Sequence, residues 1–388
     1  MKRVLGSAYF NLLKTILGCG ILVYPSLYKN YGIIPTTVLT LISGFFSLSG
    51  LFLYVLTNKI INKKSTMSTI SRYSIPSLRY VVDVVVILKC FFVTVSYMIF
   101  LKEIIPYGFG KLGFEYFVER KELGLLICLL ISLPLNLLRK IDGLKFTSVF
   151  GIGSVIFILL TSFYRLIRSN SDKKIYYFTD NFSYYKSLGE FVFGFTCHQN
   201  IFTIQNEMEG VKIWELNCVM FMAIFTASLI YILFGIINYK IFGELIEGNF
   251  LNILDDDKLK IVTVVIYGIM ILISIPLQVN PCRLYFLNIF NFKYSSGREF
   301  GKIRNIFTVV MLGISYLIAI SNINFQKVVG LVGGTFSTAM CFIFSSLFFL
   351  YLKATHKNRK FKFLACIVLL WGILVFIGLF VSKLQDLF

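Results

Sequence analysis

Apolar and polar positions along the chain are grouped in long blocks, and the apolar blocks recur from one end to the other. Each apolar block is roughly 20 residues long, the length that a helix needs to cross about 30 Å of hydrocarbon. A transmembrane β-barrel would instead show runs of about ten residues with alternating polarity, a pattern that this sequence lacks. We therefore predict an all-α polytopic membrane protein.

The blocks predict eleven transmembrane helices, numbered here as spans one to eleven. Their predicted bounds are 4–29, 33–56, 81–101, 123–138, 146–166, 188–208, 216–242, 261–281, 306–320, 328–352 and 363–381. Lys and Arg are frequent in the loops after span two and before span eleven. By the positive-inside rule, this bias predicts that the N-terminus is cytoplasmic.

Composition agrees with the membrane assignment, since 57% of the 388 residues are hydrophobic and only 15% are charged. The net charge of +19 is spread over loops between apolar spans, so it does not indicate nucleic-acid binding. The hydrophilic segments are too short for a soluble domain of typical size. We expect one membrane domain over 1–388, a lipid bilayer as its surroundings and a monomer. In the loop before span six, Asn181 begins an Asn-Phe-Ser sequon that either accepts a glycan or occurs by chance.

Two predicted spans carry polar or glycine-rich interruptions at matching places in the two halves of the chain. Span one contains Gly18-Cys19-Gly20, and span six contains Thr196-Cys197-His198-Gln199-Asn200. Paired interrupted helices are typical of secondary transporters built from inverted repeats, with the substrate site at mid-membrane between the breaks. The alternative is that the glycines serve close helix packing, as glycines often do in membranes.

The inverted-repeat hypothesis divides the chain into 1–170, 171–352 and an additional helix in 353–388. Because each repeat would contain five spans, the second copy would be inverted in the membrane relative to the first. Span six would then repeat span one, and the two breaks would face each other.

Four ordered motifs resemble the amino acid/auxin permease family, which includes vacuolar and sodium- or proton-coupled neutral amino acid transporters. The motifs are Phe10-Asn11-Leu12-Leu13-Lys14-Thr15-Ile16-Leu17-Gly18-Cys19-Gly20-Ile21-Leu22, Phe195-Thr196-Cys197-His198-Gln199-Asn200-Ile201-Phe202, Pro276-Leu277-Gln278 with Pro281-Cys282-Arg283, and Val329-Gly330-Leu331-Val332-Gly333-Gly334-Thr335. The resemblance implies the eleven-helix architecture of the bacterial leucine transporter, with discontinuous helices one and six. One departure is Ser345, which stands where the family usually has a proline in helix ten and predicts a straighter helix.

A transported amino acid is a zwitterion, and the two breaks offer backbone groups for both of its charges. Unwinding around Gly18, Cys19, Gly20 and Ile21 would leave N–H groups for the carboxylate at the positive end of a half-helix. Unwinding around Thr196, Cys197 and His198 would expose carbonyls to the ammonium. This scheme needs no charged side chain.

Two further side chains are candidates for this site. Tyr97, in the middle of span three, resembles a family tyrosine that closes the site from outside, although most aromatic residues in such a chain serve packing. His198 titrates near neutral pH and could carry a proton. We favour a structural hydrogen-bonding role for it.

Lys14 is the candidate for ion coupling. A lysine well inside a span is costly unless it faces a cavity or a partner. The resemblance implies that this lysine replaces an Asn that holds sodium in sodium-coupled relatives, and that Ser274 matches the hydroxyl completing that cation site. The alternative is that the Lys14 side chain extends to the cytoplasmic interface.

We therefore predict a proton-coupled secondary transporter of neutral amino acids, with no cofactor other than H⁺ or Na⁺ as the coupling ion. The alternatives are a sodium-coupled transporter and an amino acid-sensing membrane receptor. An intramembrane enzyme would need paired catalytic groups at membrane depth. The two histidines, His198 and His356, are far apart in sequence, so no enzyme is predicted.

Overall fold

The computed structural model describes eleven segments of the chain, and within them every regular element is helical. These segments are 2–61, 65–111, 113–114, 116–138, 144–169, 173–179, 184–207, 211–246, 250–290, 298–352 and 359–385. The Asn181 sequon and His356 lie outside the described residues.

Sixteen α-helices occur in the described segments, and they are labelled α1 to α16 in chain order. Their bounds are Lys2–Leu17, Tyr24–Tyr31, Ile33–Ile61, Met67–Ser74, Arg79–Lys111, Tyr116–Glu119, Lys121–Leu137, Leu144–Arg168, Leu188–Gly194, Ile201–Glu207, Ile213–Phe242, Lys258–Ile289, Arg298–Ile320, Phe325–Val332, Phe344–Tyr351 and Arg359–Gln385. Short 3₁₀ turns and two π-helical segments connect several of them.

Nine helical stretches of the described segments are long and apolar enough to cross a membrane. This confirms an all-helical polytopic membrane protein and accounts for nine of the eleven predicted spans. The remaining two correspond to α7, which has 17 residues, and to the interrupted helix formed by α9 and α10.

The helices α5 and α12 pack closely along each other. The sequence predicted that span eight ends at Pro281, but α12 continues through Pro276 and Pro281 to Ile289. Prolines are tolerated inside membrane helices where neighbouring groups satisfy the freed backbone carbonyls. The longer helix places Arg283 in the interior, where its guanidinium donates to the carbonyls of Asn136 and Leu138 at the end of α7.

Span ten is less regular than the sequence suggested. Two π-helical segments, Gly333–Ser337 and Ala339–Ile343, separate α14 from α15, so the replacement of proline by Ser345 does not produce a regular α-helix. A β-carbon on Gly189 or Gly333 would overlap the backbone of the other helix. These glycines therefore let span ten approach α9 at backbone distance.

At one end of the bundle, the segment before α12 is held by ion pairs. The Arg165 guanidinium contacts Asp255 at 3.0 Å and Asp257 at 2.7 Å, and the Lys111 ammonium contacts Asp256 at 2.6 Å. The hydrogen bond from Lys111 lowers the pKa of the Asp256 carboxyl below its usual range. Exposed pairs of this kind contribute little stability but fix the ends of α5 and α8 relative to α12.

Candidate functional site

The first interrupted helix breaks at Gly18, as the sequence predicted. The helix α1 ends at Leu17, Gly18 adopts φ −11° and ψ −134°, and a 3₁₀ helix runs over Cys19–Val23 before α2 begins. The first turn of a helix has amide N–H groups without partners in that helix. The break therefore presents N–H groups from the start of the 3₁₀ segment.

The second interrupted helix breaks directly after Gly194. The helix α9 ends there, residues 195–197 are not helical, and a 3₁₀ turn over His198–Asn200 leads into α10. Within this turn the Cys197 carbonyl accepts the Asn200 N–H and the His198 carbonyl accepts the Ile201 N–H. Two of the three carbonyls expected to face a substrate ammonium therefore already have one hydrogen-bond donor.

The two interrupted helices cross at Gly20 and Gly194. A β-carbon at Gly20 would lie 3.0 Å from the Gly194 Cα. The Tyr231 hydroxyl lies 2.6 Å from the Ile16 carbonyl oxygen and 2.7 Å from that of Gly194, so its single O–H is shared between one freed carbonyl of each break. Close packing, the alternative explanation for the glycines, therefore applies to Gly20.

Other hydroxyl groups satisfy the remaining backbone at the crossing. The Tyr267 hydroxyl donates to the Gly18 carbonyl at 2.7 Å, and the Ser47 hydroxyl donates to the Phe195 carbonyl at 2.9 Å. The Asn200 amide donates to the Thr15 hydroxyl at 3.0 Å, which joins the two interrupted helices a second time. Buried carbonyls need such partners because water cannot reach them.

A small buried cavity lies at this crossing. It is lined by Thr15, Ile16, Gly18, Cys19, Gly20, Lys89, Val93, Tyr97, Phe193, Thr196 and Gln278. Its volume of about 20 Å³ is room for roughly one water molecule. An amino acid is larger, so binding here requires side chains to move apart.

Five of the predicted substrate-binding residues line the cavity, namely Gly18, Cys19, Gly20, Tyr97 and Thr196. A β-carbon on Gly18 would lie 3.2 Å from the Tyr97 hydroxyl, so this tyrosine closes directly over the first break.

Cys197, His198 and Ile21, which the sequence analysis also proposed as substrate-binding residues, do not line this cavity. The His198 Nε2 atom lies 3.1 Å from the Ser47 carbonyl oxygen, and its ring packs edge-on to Tyr54. The Nδ1 atom makes no hydrogen bond with any described residue. The reason is the turn at 198–200, which directs this segment towards α3 rather than towards the first break.

Lys89 and Gln278 line the cavity but were absent from the predicted site. The Lys89 ammonium donates to the Gln278 side-chain oxygen at 3.3 Å, and Gln278 also interacts with the Tyr97 hydroxyl. Both residues gave a sequence signal: Lys89 is a base at membrane depth, and Gln278 belongs to the third family-like motif.

Lys14 is buried within the bundle instead of reaching a surface, with 4% of its area exposed. Its stem packs against Gly151 on α8, and its ammonium makes no hydrogen bond with any described residue. Ser274 is also buried and donates to the Met270 carbonyl at 2.7 Å. Neither side chain lines the cavity.

Glu190 is a buried acid that the sequence analysis did not single out. It lies in the first turn of α9, only 6% exposed, and accepts a hydrogen bond from the Gln326 amide at 3.0 Å. The same amide donates to Ser26 on α2. This link connects the two interrupted helices to the start of span ten.

A polytopic helical bundle in which two interrupted helices meet at a buried polar cavity defines a membrane transporter. A family model described as transmembrane amino acid transporter protein matches residues 2–384, and the chain belongs to this family. The resemblance to the amino acid/auxin permeases is thereby confirmed. The protein is an amino acid transmembrane transporter and not an enzyme.

Relatives agree with this assignment, and a solved structure shares the fold. The chain is 30% identical to vacuolar amino acid transporter 5 of Schizosaccharomyces pombe, over 90% of this chain and 84% of that protein. It is 27% identical to vacuolar amino acid transporter 5 of Saccharomyces cerevisiae, over 96% of both. A manganese transporter of Eremococcus coleocola has a similar fold, with a TM-score of 0.65, 10% identity and coverage of 98% of this chain and 86% of that one.

Proposed function

We propose that this protein is a proton-coupled secondary transporter of neutral amino acids that works by alternating access. The observation that carries the proposal is the meeting of both helix breaks at one buried, polar cavity. An inverted repeat of spans one to five and six to ten, with span eleven outside it, explains why the breaks occur at matching places. The repeats correspond to 1–170 and 171–352, followed by the additional helix of 353–388.

The substrate carboxylate binds the N–H groups at the first break, around Gly18, Cys19, Gly20 and Ile21. The substrate ammonium binds at the second break, where Thr196 faces the cavity. Tyr97 gates the site from one side, because its hydroxyl lies directly over Gly18. The small cavity corresponds to a contracted state that opens as substrate enters.

Lys14 and Ser274 form the ion-coupling site. A buried ammonium with no hydrogen bond to a described residue carries a desolvation cost, and loss of its proton removes that cost. Lys14 lies one turn before the first break, so its charge state can bias the position of α1 relative to α8. A sodium-coupled mechanism and a receptor that senses amino acids without much flux are the alternatives.

The protein acts in a vacuolar or plasma membrane with its N-terminus in the cytoplasm. The names of the two yeast relatives favour the vacuole. We expect a monomer, since each chain contains both halves of the proposed site.

Uptake of a panel of labelled amino acids into proteoliposomes tests this function. We expect uptake of neutral amino acids driven by an imposed proton gradient and unaffected by a sodium gradient at constant pH. Uptake that follows only the sodium gradient would overturn the coupling ion. Saturable binding without uptake under either gradient would favour the receptor.

The Lys14→Ala variant tests the coupling residue. We expect it to lose proton-driven uptake while keeping exchange of internal for external substrate, because the substrate cavity is intact. Lys102→Ala is the matched control: Lys102 is also buried, but its ammonium donates to the carbonyls of Ile320 and Ser321. Unchanged proton-driven uptake in Lys14→Ala would contradict the assignment.

A further inference from the structure

The Lys89 side chain is a cation inside the candidate site. Lys89 lies on α5 with 2% of its area exposed, and it lines the cavity together with Gly18, Cys19 and Gly20. Its ammonium therefore faces the same small volume as the N–H groups at the first break. Ionisable residues at membrane depth are costly and mark functional sites.

No acid neutralises this cation within the described part of the chain, where Lys89 forms no ion pair. Its hydrogen-bond acceptor is the neutral Gln278 side-chain oxygen, at 3.3 Å. The other polar side chains lining the cavity, those of Thr15, Cys19, Tyr97 and Thr196, carry no fixed charge. A buried charge is expected to have a counter-charge or an extensive set of hydrogen bonds, and here one long bond to an amide is present.

A second lysine on the same helix shows what a structural role looks like. Lys102 is also buried, but its ammonium donates to two backbone carbonyls, Ile320 at 3.4 Å and Ser321 at 3.1 Å. These carbonyls lie at the end of α13, where a cation interacts favourably with the helix dipole. The surroundings of Lys102 stabilise its positive charge, whereas those of Lys89 offer that charge only the Gln278 side-chain oxygen.

We propose that the Lys89 ammonium is the counter-charge for the carboxylate of the transported amino acid. This inference rests on the proposed function and deepens it, because it adds a charged side chain to a carboxylate site that the sequence analysis built from backbone alone. The carboxylate lies between the N–H groups of the 3₁₀ segment and Lys89. Gln278 holds the Lys89 ammonium in position from α12.

The test compares each substrate with its primary amide, which keeps the ammonium and side chain but lacks the negative charge. The inhibition constants of the acid and the amide are measured against uptake of a labelled substrate. We expect wild type to prefer the acid strongly. In Lys89→Met this preference should fall by at least about tenfold, since removing both members of an interacting pair isolates their coupling.

Two further variants control for charge and for folding. Lys89→Arg keeps the positive charge and should keep most of the preference for the acid. Lys102→Met removes another lysine of low exposure from the same helix and should leave the preference unchanged. A fall of similar size in Lys102→Met would show that the effect is structural and overturn the proposal.

If Lys89→Met does not transport, the same ratio is obtained from the shift in Tm that each ligand produces in the purified protein. Lys89→Gln, which keeps a polar end group without the charge, is a second uncharged variant in case Lys89→Met does not fold. An unchanged preference for the acid in either uncharged variant overturns the proposal. Absence of competition by any amino acid in wild type would instead overturn the proposed function, so the two failures are distinguishable.

Discussion

The two helix breaks differ in how much of the cavity each one lines and in what its remaining residues contact. The first break contributes Gly18, Cys19 and Gly20 to the cavity, together with Thr15 and Ile16 just before it. The second break contributes Thr196, together with Phe193 just before it, and the two residues after Thr196 do not line the cavity. His198 lies against Ser47 and Tyr54 of α3 instead.

This difference shows that an interrupted helix can bind a ligand with one part and anchor itself to the scaffold with another. At the first break, the hydroxyls of Tyr231 and Tyr267 donate to the freed carbonyls of Ile16 and Gly18. The N–H groups at the start of the following 3₁₀ helix have no partners within that helix. At the second break, the backbone after Thr196 closes a 3₁₀ turn. The first break therefore contributes more of the cavity lining, while the second break is anchored to α3.

The largest effect is expected from Gly20→Val, because Gly20 is the point where both breaks cross. Even a β-carbon there would lie 3.0 Å from the Gly194 Cα, and valine adds two methyl groups beyond it. We expect transport at background level and a lower Tm. Gly153→Val is the control, since Gly153 on α8 has open space at its β-carbon position. Normal uptake by Gly20→Val would contradict the observed crossing.

The sequence analysis predicted the positions of both breaks because glycine and polar residues inside an apolar span are local signals. It also proposed Tyr97, which lines the cavity. These features depend on residue types that are costly or unusual at membrane depth. They can be read without knowing which helices are neighbours.

The orientation of the second break could not be predicted in this way. The residue types of Thr196, Cys197 and His198 do not indicate which of them faces the cavity, because this depends on the 3₁₀ turn at 198–200. Lys89 and Gln278 meet there because α5 packs along α12, a contact between helices far apart in sequence. No periodicity within one span contains that information.

A smaller effect is expected from removing the tyrosine hydroxyls that bond to the two breaks. Tyr231→Phe removes a donor that carbonyls of both breaks share, whereas Tyr267→Phe affects the first break alone. An unsatisfied buried group costs about 1–3 kcal/mol. We therefore expect the lower Tm in Tyr231→Phe. Tyr316→Phe, which removes a bond to the Glu122 carbonyl between α13 and α7, controls for loss of a hydroxyl elsewhere. A larger loss in Tyr267→Phe than in Tyr231→Phe would count against the shared link.

Cysteine labelling tests directly which break faces the substrate. Cys19 lines the cavity and Cys197 does not, although both are buried. In variants that retain one of these cysteines, saturating substrate should slow labelling of Cys19 by a small thiol reagent. It should leave the slower labelling of Cys197 unchanged. Equal protection of both thiols would place the second break at the substrate after all.

The smallest effect is expected from His198→Gln. The histidine is fully buried, and its Nε2 atom interacts with the Ser47 carbonyl. A glutamine side chain can donate to the same carbonyl, so the main loss is the edge contact with Tyr54, worth about 0.5–1.5 kcal/mol for a ring pair. Transport should stay within about twofold of wild type, because a loss of this size leaves most of the roughly 5–15 kcal/mol stability of a folded protein in place.

The pH profile of uptake separates this structural role from proton transfer. If His198 carried the proton, glutamine would flatten the rise of uptake across the range in which histidine titrates. If His198 only anchors the second break to α3, the profile of His198→Gln should superimpose on that of wild type. Lys14→Ala should flatten the same profile, because the proposed proton site lies beside the first break. If uptake lost its pH dependence in His198→Gln but kept it in Lys14→Ala, the proton site would lie at the second break instead of the first.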